Sequence, residues 1–355
     1  MIQVLRAYAA MSVVICHIVG YELTKKVGIS NPLPHYEVFN AGVDLFFAIS
    51  GFVMVYSSDR LFSEPGGSRE FLLRRIIRIV PLYWTLTTVV LVYLLLTYGN
   101  LQAVNLSVEA AVASYLFIPY PQADGLITPV HGVGWTLNFE MFFYVCFAVA
   151  LKFSQRTGVF LLTAVLCLLV ASPTVLSLPL PLDYLSNPIV LEFAFGMLIG
   201  LAMKSGYRLP GWISIAVVVL ATLAILFSYK WSHVHRAVAW GLPSAAIVAA
   251  LVFVRQPQNQ RLVLKALVLL GDASYALYLV HPLAITLPRH LLYRALDPAA
   301  APLLYGGLLF VIAIAASIVV HLAYEAPMTQ FSKSALRNLF QTPSLPSNLT
   351  SATLD

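Results

Sequence analysis

The chain has 355 residues and 38.9 kDa, with 60% hydrophobic residues, only 10% charged residues and a mean hydropathy of +0.84. Soluble domains carry roughly 25% charged residues, so this chain has too little charge to cover a water-facing surface and is expected to be a membrane protein. The net charge of +6 does not demand a nucleic-acid partner, and the 12% aromatic content excludes a low-complexity chain.

At about 20 residues per lipid-crossing helix, the length accommodates about ten spans with their loops. Ten apolar windows are present: Ile2 to Gly20, Ala41 to Ser57, Ile79 to Tyr98, Val133 to Leu151, Gly158 to Leu176, Asn187 to Met203, Trp212 to Tyr229, Ala237 to Val254, Leu267 to Leu287, and Leu303 to Tyr324. They predict an all-α polytopic membrane helix bundle over residues 1–330. A polar, Ser- and Pro-rich tail over 331–355 is expected to be disordered. The first window reads as a retained helix rather than a cleaved signal. The segment Ser107 to Ile118 is too short to cross and is expected at the interface or as a short loop helix.

Six basic residues, Lys25, Lys26, Lys230, Arg236, Arg289 and Arg294, fall in the loops of one side, and the remaining 15 of 21 fall on the other. Cytoplasmic loops hold the excess of Lys and Arg, so both termini are expected in the cytoplasm. The Asn348-Leu349-Thr350 sequon then lies on the side where glycosylation does not occur. Cys16, Cys146 and Cys167 lie in apolar runs and read as small hydrophobes. His233 and His235 have no third ligand nearby, so no metal site is expected.

An ionisable group at a helix centre costs roughly 2.5 to 3.5 kcal/mol on insertion scales, so such groups are the informative ones. Arg6 and His17, eleven residues apart, return to within about 20° of one helix face and lie about 16 Å apart along the axis. The second span runs back and begins with Asp44, expected near the level of His17, where a carboxylate can hold a histidine tautomer. A single membrane histidine also serves packing, and both readings stand. Glu140 enters on the fourth span with Thr136 and Tyr144 at i−4 and i+4. Glu192 lies at a similar depth, as a catalytic group or a hydrogen-bonded packing carboxylate.

At the opposite side, the loop into the third span ends in Arg74, Arg75 and Arg78. Arg75 and Arg78, at i and i+3, form either a forked phosphate clamp or a cluster on anionic lipid. The ninth span carries a polar stripe of Ser274, Tyr278 and His281, with Asp272 reading as its N-cap, and Glu325 reads as structural.

Six blocks stand in register from residue 2 to about residue 327: IQVLRAYAAMSVVICH, GVDLFFAISGFVM, FLLRRIIRIVPLYW, GWTLNFEMFFY, NPIVLEFAFGM and LLGDASYALYLVHP. In them the sequence resembles the acyltransferase family 3 membrane proteins, especially O-acetyltransferases of exopolysaccharide production. The resemblance implies a multi-pass protein of the bacterial inner membrane that takes an acetyl group from cytoplasmic acetyl-CoA. Its acceptor would be a sugar hydroxyl of a surface polysaccharide or a lipid-linked precursor. Its partners would be membrane lipids and polysaccharide synthesis machinery.

The family's arginine and histidine fall on Arg6 and His17, and its R-x-x-R pair falls on Arg75 and Arg78. Arg6, Arg75 and Arg78 are then expected to hold the donor. His17, with Asp44 and Glu140, is expected to carry the chemistry, as a general base or as the acyl carrier. Two other classes remain open at this stage. A transporter of a small solute or polysaccharide precursor also buries ionisable groups, although no inverted repeat is seen here. A noncatalytic membrane partner of an assembly complex would need none of these side chains.

Overall fold

The structure, a computed structural model, describes residues 1–30, 32–101, 105–206, 208–231, 234–254 and 262–340. The Asn348 sequon, His233, Arg255 and Arg261 lie outside the described residues. Every regular element among those described is helical.

Helix α1 (Ile2–His17) continues as a π-helical stretch, Ile18–Val27, and stops at Gly28, whose φ of 85° suits only a residue without a Cβ. A 3-10 turn leads into α2 (Ala41–Ser57), and α3 (Gly67–Tyr98) follows. The short α4 (Val108–Tyr115) is capped by Ser107, whose Oγ accepts from the Ala110 amide at 3.0 Å. Next come α5 (Trp135–Ala150), α6 (Gln155–Ala171), the single turn α7 (Leu182–Leu185), α8 (Leu191–Met203), α9 (Gly211–Phe227) and α10 (Leu242–Phe253). The last elements are α11 (Leu262–Asp272), α12 (Ser274–Thr286), α13 (Arg289–Ala295), α14 (Pro302–Val320) and α15 (Ala326–Phe340).

Among the described residues, seven helical stretches are long and apolar enough to cross a membrane. The other three windows correspond to two shorter apolar helices, Pro188–Met203 and Ala237–Phe253, and to one bent pair. The surface suits lipid: Trp212, Leu220, Leu303, Val311 and Val319 are exposed.

Four sequence expectations are corrected. The ninth window is not one straight helix; it bends by 71° between α11 and α12. A Cβ at Gly271 would collide with the Gln3 backbone, and the Gln3 amide donates to Asp272 Oδ1. Asp272 therefore ties the end of α11 to α1, while the residue at the N-cap of α12 is Ala273. Helix α3 begins at Gly67, ahead of the apolar window at Ile79, so Arg74, Arg75 and Arg78 are helical rather than in a loop. Hydropathy averaging cannot see a helix whose first turns are charged. Helix α15 likewise carries the chain to Phe340, past the boundary at residue 331 expected for the tail.

The centre of the bundle is α2 crossing α8 at close range. A Cβ at Gly196 would collide with the Ala48 carbonyl, and one at Gly51 with the Phe193 backbone. Apolar burial gives little drive between helices in lipid, so such small-residue contacts supply the dispersion that holds them. Beside this crossing the Phe47, Phe193 and Phe143 rings stack at 4.4 and 4.3 Å, joining α2, α8 and α5.

Candidate active site

Helices α1, α2, α3, α5 and α12 enclose a cavity of about 100 Å³. Its polar wall is built from Arg6 on α1, Arg75 and Arg78 on α3, Glu140 and Tyr144 on α5, and Tyr278 on α12. The i, i+3 spacing puts both α3 arginines on one side of a continuous helix, so the wall is rigid. Arg75 donates through Nη2 to Ser57 Oγ at 3.3 Å, and its guanidinium lies 5.4 Å from the Phe71 ring centroid and 5.9 Å from that of Tyr144. Its Nε is buried with no partner. Arg6 donates to Gln3 Oε1 at 3.4 Å. Glu140 accepts from the Tyr144 hydroxyl one turn on and from Ser50 Oγ at 3.4 Å. Three guanidinium groups facing one carboxylate leave an excess of positive charge in a poorly hydrated site, a setting that favours an anionic ligand.

Tyr278 is one of the residues that line this cavity. This hydroxyl donates to the Val133 carbonyl at 3.0 Å and accepts from Thr136 Oγ1 at 2.9 Å. Behind it, the Tyr278 ring lies 6.2 Å from His281, and His281 lies edge-on to His17 at 4.9 Å. His17 Nδ1 lies 2.9 Å from the Val13 carbonyl. A carbonyl only accepts, so Nδ1 carries the proton and Nε2 keeps its lone pair. A third imidazole, His131, donates from Nε2 to the Leu279 carbonyl at 2.8 Å. Burial pushes His131 down to about 4, with the Leu279 carbonyl pulling the other way.

Asp44 does not hold His17. Its carboxylate pairs with Arg236, at 2.7 Å from Nη2 and 3.1 Å from Nε. The cause is the level at which α2 starts. Helix α1 runs on past His17 as the π-helical stretch, and Gly42 packs on Ala9 and Val13, so Asp44 lies about 12 Å along the axis from His17. Glu140 also has its partners elsewhere, in Tyr144 and Ser50. Glu192, fully buried, lies against the Asp44 carboxylate and near Arg236, away from His17.

The sequence reading passed over Glu22. This residue is fully buried on the π-helical stretch and accepts from Arg289 Nη2 at 2.6 Å, Tyr293 at 3.1 Å and Tyr305 at 2.8 Å. The available signal was one acid within the apolar run IVGYELTKKV, with Arg289 counted merely as a loop cation. Glu325, read as structural, bonds His321 Nδ1 at 2.7 Å.

The fold is a polytopic helix bundle with a cavity lined by three arginines and one glutamate, and with a pair of histidine rings near Tyr278. The model of the acyltransferase domain of acyltransferase family 3 matches residues 2–322, and the chain belongs to that family. It is 34% identical over 263 residues to the exopolysaccharide production protein ExoZ of Rhizobium meliloti (strain 1021), covering 71% of this chain and 78% of that one. It is 27% identical over 358 residues to acyltransferase MdmB of Streptomyces mycarofaciens, covering 91% of this chain and 89% of the other. No solved structure matches it significantly. The protein is a multi-pass membrane acyltransferase.

Proposed function

We propose that the protein moves an acetyl group from cytoplasmic acetyl-CoA to a sugar hydroxyl of an exopolysaccharide, or of its lipid-linked precursor, in a bacterial inner membrane. The observation that carries this reading is the order Arg75 and Arg78, cavity, Tyr278, His281, His17, which joins an anion-binding wall to a base. The likeness to ExoZ, an exopolysaccharide production protein, supports the acceptor class.

In this mechanism Arg75 and Arg78 bind donor phosphates, and Arg6 supports the donor arm. A cavity of about 100 Å³ has room for about three waters or one small acyl group, so the nucleotide stays outside it. The open cleft beside it, of about 780 Å³ and lined by Ser57, Arg60 and Arg74, offers that space. Glu140 offsets part of the cationic charge and keeps Tyr144 in place. His17 Nε2 takes the proton of the acceptor hydroxyl as that oxygen attacks the thioester carbonyl. The C–S bond then breaks, and the proton leaves on the thiol. General-base help of this kind is worth about 10² to 10⁴ in rate. Neither Asp44 nor Glu140 is needed to orient the ring, because the Val13 carbonyl does so.

The test is His17→Ala at normal membrane level, with mass spectrometry of the cell's surface polysaccharide. The expected result is loss of one acetyl mass per modified sugar. Wild-type acetylation in that variant refutes His17 as the base.

A further inference from the structure

The transfer chemistry above leaves His281 without a task, although its surroundings are unusual. The residue is fully buried, its Nδ1 donates to the Leu277 carbonyl at 3.0 Å, and its Nε2 is buried with no hydrogen-bond partner. Leaving such an acceptor unpaired away from water is costly, so its place needs a reason. The neighbouring ring is His17, held in the same way: a backbone carbonyl one turn back takes each Nδ1 proton and leaves each Nε2 as a lone pair. Two helices thus present two like-tautomer imidazoles in edge contact at 4.9 Å. Among the described residues, the hydrogen bonds of His17 and His281 run to backbone carbonyls and not to a carboxylate; Asp44 is engaged with Arg236 and Glu140 with Tyr144. His131 has its Nε2 proton committed to Leu279 and does not fill that part.

The geometry points to His281 as the proton-holding partner of His17 in acyl transfer. When His17 takes the hydroxyl proton, the neutral His281 ring in edge contact with it, its Nε2 lone pair unused, stabilises the imidazolium charge and so helps His17 hold the proton. The order Tyr278, His281, His17, spaced at 6.2 and 4.9 Å, puts His281 on the donor side of the base, where the thiolate forms. As the new O–C bond forms and the C–S bond breaks, the proton held on His17 passes to the thiolate. One proton enters from the hydroxyl and one leaves on the thiol, so no other co-reactant is required. This inference rests on the acetyl-transfer reading with His17 as base. His281 acts through His17 and is a positioning residue.

His281→Asn tests it, because the Asn amide can still donate to the Leu277 carbonyl while the second ring nitrogen is gone. The assay uses the full chain in membranes, acetyl-CoA labelled in the acetyl group, and the cell's own polysaccharide stripped of acetyl groups with mild base. The expected result is a fall in kcat of about 10- to 100-fold with KM for acetyl-CoA within about twofold of wild type. In addition, the acid limb of the kcat–pH profile moves by about half a pH unit or more. Wild-type kcat, or a lowered kcat whose acid limb has not moved, overturns the inference. If the Asn protein fails to accumulate, His281→Gln is read in the same way, and failure of both to accumulate assigns His281 to packing alone. A parallel His17→Ala sample separates the two claims: activity there refutes the base itself. Inactive His17→Ala beside fully active His281→Asn refutes only the pairing.

Discussion

Replacing Arg75 by Gln removes the best-defined group of the proposed donor-binding wall and leaves helix α3 intact. The guanidinium sits over two aromatic rings, has one hydrogen bond to Ser57, and keeps a buried Nε that a phosphate oxygen can occupy. A hydrogen bond to a charged partner contributes about 1.5 to 3 kcal/mol, and each 1.4 kcal/mol is about tenfold in affinity. Loss of about 2 kcal/mol therefore raises KM for acetyl-CoA by about 30-fold. The kcat should stay within about threefold, because Arg75 is separated from His17 by the cavity and Tyr278. Arg75→Lys keeps the charge but not the fork, so its KM should fall between the two. The assay is initial rate against acetyl-CoA concentration in membranes holding equal amounts of each protein. An unchanged KM with a large fall in kcat would refute the donor-clamp assignment.

The Asp44–Arg236 pair supports the fold rather than the base. Asp44→Ala strands a partly buried guanidinium and should cost about 3 to 5 kcal/mol, seen as a lower Tm in detergent, whereas adding Arg236→Ala should recover part of that loss. His131 predicts a pH effect. Its folded-state value near 4 lies below the unfolded value near 6.5, so the unfolded chain takes up a proton first as pH falls. Stability is then lost between pH 6.5 and 4 by up to about 3 kcal/mol, and His131→Gln should flatten that fall in Tm; an equal slope in both proteins counts against it. Gly196→Leu at the α2–α8 crossing should destabilise by about 1 to 3 kcal/mol or more, read as loss of folded protein in detergent.

The Arg75–Arg78 pair and the Glu140–Tyr144 contact were legible because helical spacing fixes each locally, whereas Glu140, expected near His17 on the opposite side, shares the arginines' cavity through the packing of α3 against α5. Arg75 and Arg78 share a side at i and i+3, and Tyr144 reaches Glu140 at i+4. What pattern alone could not supply was level between helices. Asp44 seemed to reach His17 only if α1 ended there, but the π-helical stretch and the Gly42 contact set the two helices in another register. The bend between α11 and α12 was hidden for a similar reason: apolar averaging spans Asp272 and Ala273 smoothly, while the break comes from a tertiary contact with Gln3. Glu22 and its partner Arg289 are 267 residues apart, and no local period connects them.

The most direct test of the account is transfer by the purified full chain in proteoliposomes, supplied with acetyl-CoA labelled in the acetyl group and with deacetylated polysaccharide as acceptor. Label should appear on the polysaccharide with the wild-type protein and be absent with His17→Ala. Equal labelling with both proteins, or none with an active wild-type preparation, would contradict acetyl transfer through His17.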